Sequence, residues 1–89
     1  MRFPEDVTND VTNRLRRAEG QVRGVQRLLE EGADCAAVVT QLSAAQAALD
    51  RVGLRLMAAG MRYCANHPDE AERDGMSAEA MEALFLKLR

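Results

Sequence analysis

Apolar residues recur at intervals of three and four along most of this chain, the period of α-helices buried on one side. Val11, Leu15, Ala18, Val22, Val25 and Leu29 trace the first stripe, and the Pro4 to Thr8 segment before it offers Asp6 or Thr8 as a helix N-cap. Glu30-Glu31-Gly32-Ala33-Asp34 interrupts the pattern, with Gly32 ending one helix and Asp34 capping the next. The second stripe runs through Val39, Leu42, Gln46, Leu49, Gly53, Met57, Gly60 and Cys64, all within about 40° of one meridian, and stops by His67-Pro68. Asp69 to Gly75 reads as a charged loop. Ser77 then caps a helix bearing Met81, Leu84, Phe85 and Leu88 on one side. The pattern predicts one all-α domain over residues 1–89, with three helices, a long second helix, and the first two paired as a hairpin.

Size changes the picture from a monomer to an assembly. Eighty-nine residues bury little surface alone, and a second helix of about 45 Å is too long for one small domain to cover. Part of its apolar face must be buried by another chain, and Gly53 near its middle is small enough for two helices to cross there. Gly20 and Gly24 on the first helix are similarly spaced for close packing. Aromatic residues are 3% of the chain and hydrophobic residues 47%, so the core is built from Leu, Val, Met and Ala, which suits packed helices.

The two cysteines give this assembly its chemistry. Cys35 and Cys64 lie 29 residues apart, roughly 43 Å along one helix, and that interval returns both thiols to the same face. They cannot meet within one chain. Two such helices packed antiparallel bring Cys35 of one chain beside Cys64 of the other, twice, by two-fold symmetry. The first ten residues lack the regions of a signal peptide, and no apolar run approaches the ~18 residues of a membrane span, so the expected location is the cytoplasm, without a membrane partner. Thiols there are kept reduced and read as reactive, metal-binding or redox groups. Cys35, in the first turn of its helix, faces the positive end of the macrodipole, a setting for a nucleophile or a soft-metal ligand. His67, three residues after Cys64, and the thioethers of Met57 and Met61 are further candidate ligands, although a helix-end histidine and core methionines are the plainer readings.

Charge adds a second candidate surface. The formal charge is −2, but from Val11 to Arg62 eight Arg stand against five acids, while from Tyr63 onward three basic residues face six acidic ones. Arg16, Arg23 and Arg27 fall nearly opposite the first apolar stripe, with Arg14 and Arg17 flanking it. Through residue 62 Arg is used nine times and Lys never, a choice that favours phosphate and base-edge contacts. No helix-turn-helix spacing, catalytic triad, phosphate-cradling loop or zinc-finger spacing accompanies it, so an enzyme is not expected.

The run Asn13-Arg14-Leu15-Arg16-Arg17-Ala18-Glu19-Gly20-Gln21-Val22-Arg23-Gly24-Val25, the entry of Cys35 into the second helix, Gln41-Leu42-Ser43-Ala44 and Cys64 together resemble the copper-sensitive operon repressor (CsoR) family over almost the whole chain. The resemblance implies an antiparallel dimer assembling to a tetramer that binds operator DNA and is released when an inducer reaches the inter-subunit cysteine site. By the same resemblance Arg14 and Arg51 are the leading operator contacts, supported by Arg16, Arg17, Arg23 and Arg55 at phosphates. Family members that sense Cu(I) hold it with the first cysteine of one chain and a His-x-x-x-Cys pair of the other. The histidine position is Gly60 here, leaving Cys35 and Cys64 unless Met61 or His67 substitutes. In this the chain resembles the CsoR-like sulfurtransferase repressors (CstR), which answer reactive sulfur species by forming persulfide and then di-, tri- or tetrasulfide links, although Gly60 is not the asparagine associated with that branch. The expectation is a repressor with no resident cofactor that responds to sulfur donors such as polysulfide or persulfide through Cys35 and Cys64. The alternative is a Cu(I)-responsive repressor with an altered ligand set, for which Gly60→His is expected to raise Cu(I) affinity.

Overall fold

The computed structural model describes residues 1–88 and contains helices and turns only, within an envelope of 54 × 24 × 14 Å. Helix α1 spans Glu5–Glu30 and α2 spans Cys35–Asn66, packed as an antiparallel hairpin. Two short helices follow, α3 over Pro68–Arg73 and α4 over Ala78–Leu86, and both lie against α2. The all-α class and the long second helix are as the periodicity predicts. The Asp69 to Gly75 connection differs: most of it is α3, started by Pro68 in its first turn, where a missing N–H costs nothing. Helix α1 also starts earlier than Asp6 or Thr8 would cap it. Pro4 occupies its N-cap position without a side-chain bond, and its carbonyl accepts from Thr8 N at 3.0 Å.

Glycine makes both sharp reversals. At the end of α1, Gly32 adopts φ +69°, its N–H donates to the Leu29 carbonyl, and Ala33 N donates to the Leu28 carbonyl at 2.9 Å. This paired C-terminal lock needs a left-handed residue that glycine supplies without strain. Gly75, φ +76°, repeats it after α3, with Met76 N donating to the Ala71 carbonyl at 2.7 Å. The N-caps expected at Asp34 and Ser77 are present, each side-chain oxygen accepting from the backbone N–H three residues on at 3.2 Å.

The hairpin seam is made of small residues seven apart. Val11 and Ala18 of α1 are buried with Ala45, Val52 and Ala59 of α2, so the helices approach closely. Gly24 contributes to this: a Cβ there would lie 3.3 Å from the Gln41 amide nitrogen, whereas Gly20 has open space around it. The seam is thin. Leu15, Val22, Leu42 and Leu49, which the periodicity places on the same stripes, remain 38 to 47% exposed and form one side of the hairpin. The apolar stripe of α1 is therefore split, with one edge packed on α2 and the other edge uncovered within the protomer.

Candidate functional site

Cys35 and Cys64 sit near opposite ends of this uncovered side. Cys35 begins α2 directly after its Asp34 cap and is exposed. Cys64 is half-buried in the last turns of the helix, where its thiol donates to the Met76 carbonyl at 3.4 Å. The reversal at Gly75 puts that carbonyl there, so the lock that ends α3 also sets the surroundings of the thiol. The chain then returns along α2 as α4. An open apolar groove of about 970 Å³ runs from Cys64 to Leu49 between the two helices, lined by Gly53, Met57, Met61, Met81 and Phe85 among others. A shallower hollow between Leu15, Val22 and Leu49 continues the apolar surface onto α1.

Gly60 is buried beneath α4. A Cβ at this position would lie 3.0 Å from Met81 Sδ and 3.2 Å from Phe85 Cε2, so these side chains occupy the space a residue-60 side chain would enter. The same holds more weakly at Gly53, where Leu88 Cδ1 would lie 3.1 Å from an added Cβ. Gly53 therefore receives Leu88, two residues past the end of α4, within the protomer. An imidazole at position 60 would meet Met81 and Phe85 before any metal, so the expectation that Gly60→His raises Cu(I) affinity requires α4 to move. Gly60→Ala gains about 1 kcal/mol of helix propensity and loses about 1–3 kcal/mol to overpacking against Met81 and Phe85, so a small net cost is expected. Amide exchange across residues 78–86 should then quicken while the α1–α2 seam keeps its protection; unchanged exchange in α4 would mean that Met81 yields without loss.

Among the described residues no three His, Cys, Asp or Glu side chains converge as a metal-binding group within the protomer. His67 is exposed and stacks on Tyr63, ring centroids 4.9 Å apart. Partial burial, with the nearby carboxylates of Asp74 and Glu70, pushes the Tyr63 phenol above its ordinary pKa. It stays protonated and donates to Glu70 Oε2 at 3.4 Å, tying α2 to α3. Met61 is 59% exposed at the outer rim of the groove.

The arginines divide between the two sides of the hairpin. Arg14 and Arg55 come together through Asp10, which accepts from Arg14 Nε and from Arg55 Nη1, each at 3.2 Å. The Asp10–Arg55 and Gln21–Gln41 contacts fix an antiparallel register that sets Arg51 level with Arg14, and Arg51 shares the Arg55 side of α2 one turn away. Arg17, three residues after Arg14, lies on the same side of α1. Arg16 is exposed and bonds Asn13, while Arg23 borders the Leu15–Val22 hollow on the opposite side. The structure thus joins Arg14 and Arg55 through Asp10, sets Arg51 on the same side by register, and separates Arg23 from them. Asp10, Met76 and the packing of Met81 and Phe85 on Gly60 are absent from the sequence reading. Only the i, i+4 spacing of Asp10 and Arg14 could have signalled one of these contacts.

Residues 7–87 match the family described as metal-sensitive transcriptional repressor. The chain belongs to that family and is a transcriptional repressor of the CsoR type. It is 41% identical over 85 residues to the copper-sensing transcriptional repressor RicR of Mycobacterium tuberculosis, covering 91% of this chain and 88% of that one. It is 37% identical over 77 residues to the copper-sensing transcriptional repressor CsoR of Bacillus subtilis, covering 86% and 73%. The crystal structure of the copper-sensing repressor CsoR with Cu(I) from Geobacillus thermodenitrificans NG80-2 superposes with a TM-score of 0.71 at 33% identity, covering all of this chain and 94% of that one. Among the described residues no helix is long and apolar enough to cross a membrane.

Proposed function

We propose that this repressor works in the cytoplasm as an antiparallel homodimer, paired into a tetramer, and that it leaves operator DNA when reactive sulfur bridges Cys35 of one subunit to Cys64 of its partner. The observation that carries the inducer is Gly60: it supplies no ligand, and Met81 and Phe85 fill the space beside it, so the site consists of two thiols. A second copy is the occupant of the uncovered face because both thiols lie along it and are too far apart to react within one chain.

The chemistry balances with a polysulfide alone. The Cys35 thiolate attacks a sulfane sulfur, a donor S–S bond breaks, the shortened donor leaves as an anion, and Cys35 carries a persulfide or longer chain. The partner's thiolate at Cys64 then attacks the sulfur next to the terminal one. Hydrosulfide leaves, and the two subunits are joined by a disulfide or a longer polysulfide. The donor's sulfane sulfur supplies the oxidising equivalents, so no further oxidant is needed. Exposure of Cys35 suits it to the first attack, and the half-buried Cys64 suits the resolving step.

Operator contact falls to the Arg14, Arg51 and Arg55 side, with Arg16 and Arg17 at flanking phosphates, and Arg23, which borders the hollow on the opposite side, drops out of this set. Arg14→Ala and Arg51→Ala are each expected to weaken operator binding and to flatten its dependence on salt by about one unit of slope. Titrations of duplex at several salt concentrations check this, and unchanged affinity in both variants would remove DNA from this surface. A second reading, Cu(I) as inducer, is favoured by the copper-sensing relatives and by the thioethers of Met57, Met61 and Met81 lining the groove that contains Cys64. Cys35 and Cys64 would hold the ion, with a thioether as a third soft donor. Release of wild-type protein from DNA by Cu(I) but not by polysulfide would select this reading.

A further inference from the structure

We infer that Asp10 is a positioning residue that fastens Arg14 and Arg55 into a single two-pronged phosphate clamp. The inference rests on the reading of this side of the hairpin as the operator surface. Asp10 accepts from Arg14 Nε at 3.2 and 3.4 Å and from Arg55 Nη1 at 3.2 Å. One carboxylate therefore links a guanidinium of α1 to a guanidinium of α2. Arg14 is held through Nε, which leaves both of its terminal nitrogens free to point outward as a fork. Arg55 is held through one terminal nitrogen, which leaves Nη2 and Nε for a second acceptor.

An acid on such a surface opposes phosphate through its charge. If Asp10 only neutralised its neighbours, the hairpin would bind DNA better without it. Its contribution is geometric: two long side chains that would otherwise sample many rotamers are fixed at a set separation across the seam, level with Arg51. Order of this kind adds nothing to general attraction for DNA and distinguishes one backbone shape from another. Asp10 thus exchanges affinity for selectivity.

The test uses the full chain and the duplex that wild-type protein selects from a random-sequence pool, with a scrambled duplex of the same length beside it. Asp10→Asn removes the charge and keeps the shape. It is expected to bind the scrambled duplex at least as tightly as wild type, while preference for the selected duplex falls about tenfold. Asp10→Glu, which keeps the charge, should retain more of the preference. Arg55→Gln breaks the clamp from the other helix and should lose preference without the gain on scrambled DNA. A rise in affinity for both duplexes with unchanged preference, in folded Asp10→Asn protein, would overturn the inference and make Asp10 a competing charge. Arg14→Ala and Arg51→Ala are measured on the same duplexes. If neither alters binding, or if wild type selects no duplex, the operator surface itself has been misassigned, a failure distinct from that of Asp10.

Discussion

Leu49→Glu is expected to leave the protein monomeric at micromolar concentration and unable to hold its operator. Leu49 is the residue shared by the Leu15–Val22 hollow and the groove that reaches Cys64, and it is 47% exposed within the protomer. Burying the rest of one leucine against a second subunit is worth about 1 kcal/mol. A carboxylate in its place loses that and adds a desolvation penalty of several kcal/mol, incurred twice in a two-fold dimer. The combined loss exceeds the four kcal/mol or so that separates micromolar from millimolar association. The protomer alone has little to fall back on, because among the described residues the buried hydrophobic side chains are four alanines, two valines and a methionine. Sedimentation equilibrium reads the outcome directly. A variant that stays dimeric would mean that the subunits meet on another face.

Cys64→Ser and Cys35→Ser are expected to separate DNA binding from its release. Neither cysteine is needed for the fold of the hairpin: Cys35 is exposed, and a serine at position 64 still offers a donor to the Met76 carbonyl. Each variant should therefore bind operator as wild type does. Polysulfide should weaken wild-type binding by about 10- to 100-fold, the usual scale of coupling between two sites, and leave both variants bound. If Cys64→Ser still dissociates, a persulfide on Cys35 suffices and the bridge is not the signal.

Periodicity was enough to define the hairpin, because three- and four-residue spacing, Gly32 and Asp34 act locally and leave a direct mark on the sequence. It was enough also for the shared face of the two thiols, since 29 residues return a helix to nearly the same meridian. It did not reveal α3, where Pro68 and the five charged or small residues after it look like a loop until Gly75 closes them off. Tertiary packing hid the rest. That Met81 and Phe85 sit on Gly60, that Gly75 swings the Met76 carbonyl onto Cys64, and that Arg55 crosses to Asp10 over 45 residues are long-range events with no periodic trace. The arginines illustrate both sides: a helical wheel grouped them by helix, whereas the hairpin regroups Arg14 with Arg51 and Arg55 and leaves Arg23 on the other side.

Bridging of the two subunits is read from the intact mass of reduced protein under non-reducing conditions after exposure to an inorganic polysulfide, followed by peptide mapping. A covalent dimer carrying bridging sulfur is expected, with the Cys35 peptide of one subunit joined to the Cys64 peptide of the other. Unmodified monomer, or dimers joined through Cys35 alone, would contradict a bridge between Cys35 and Cys64.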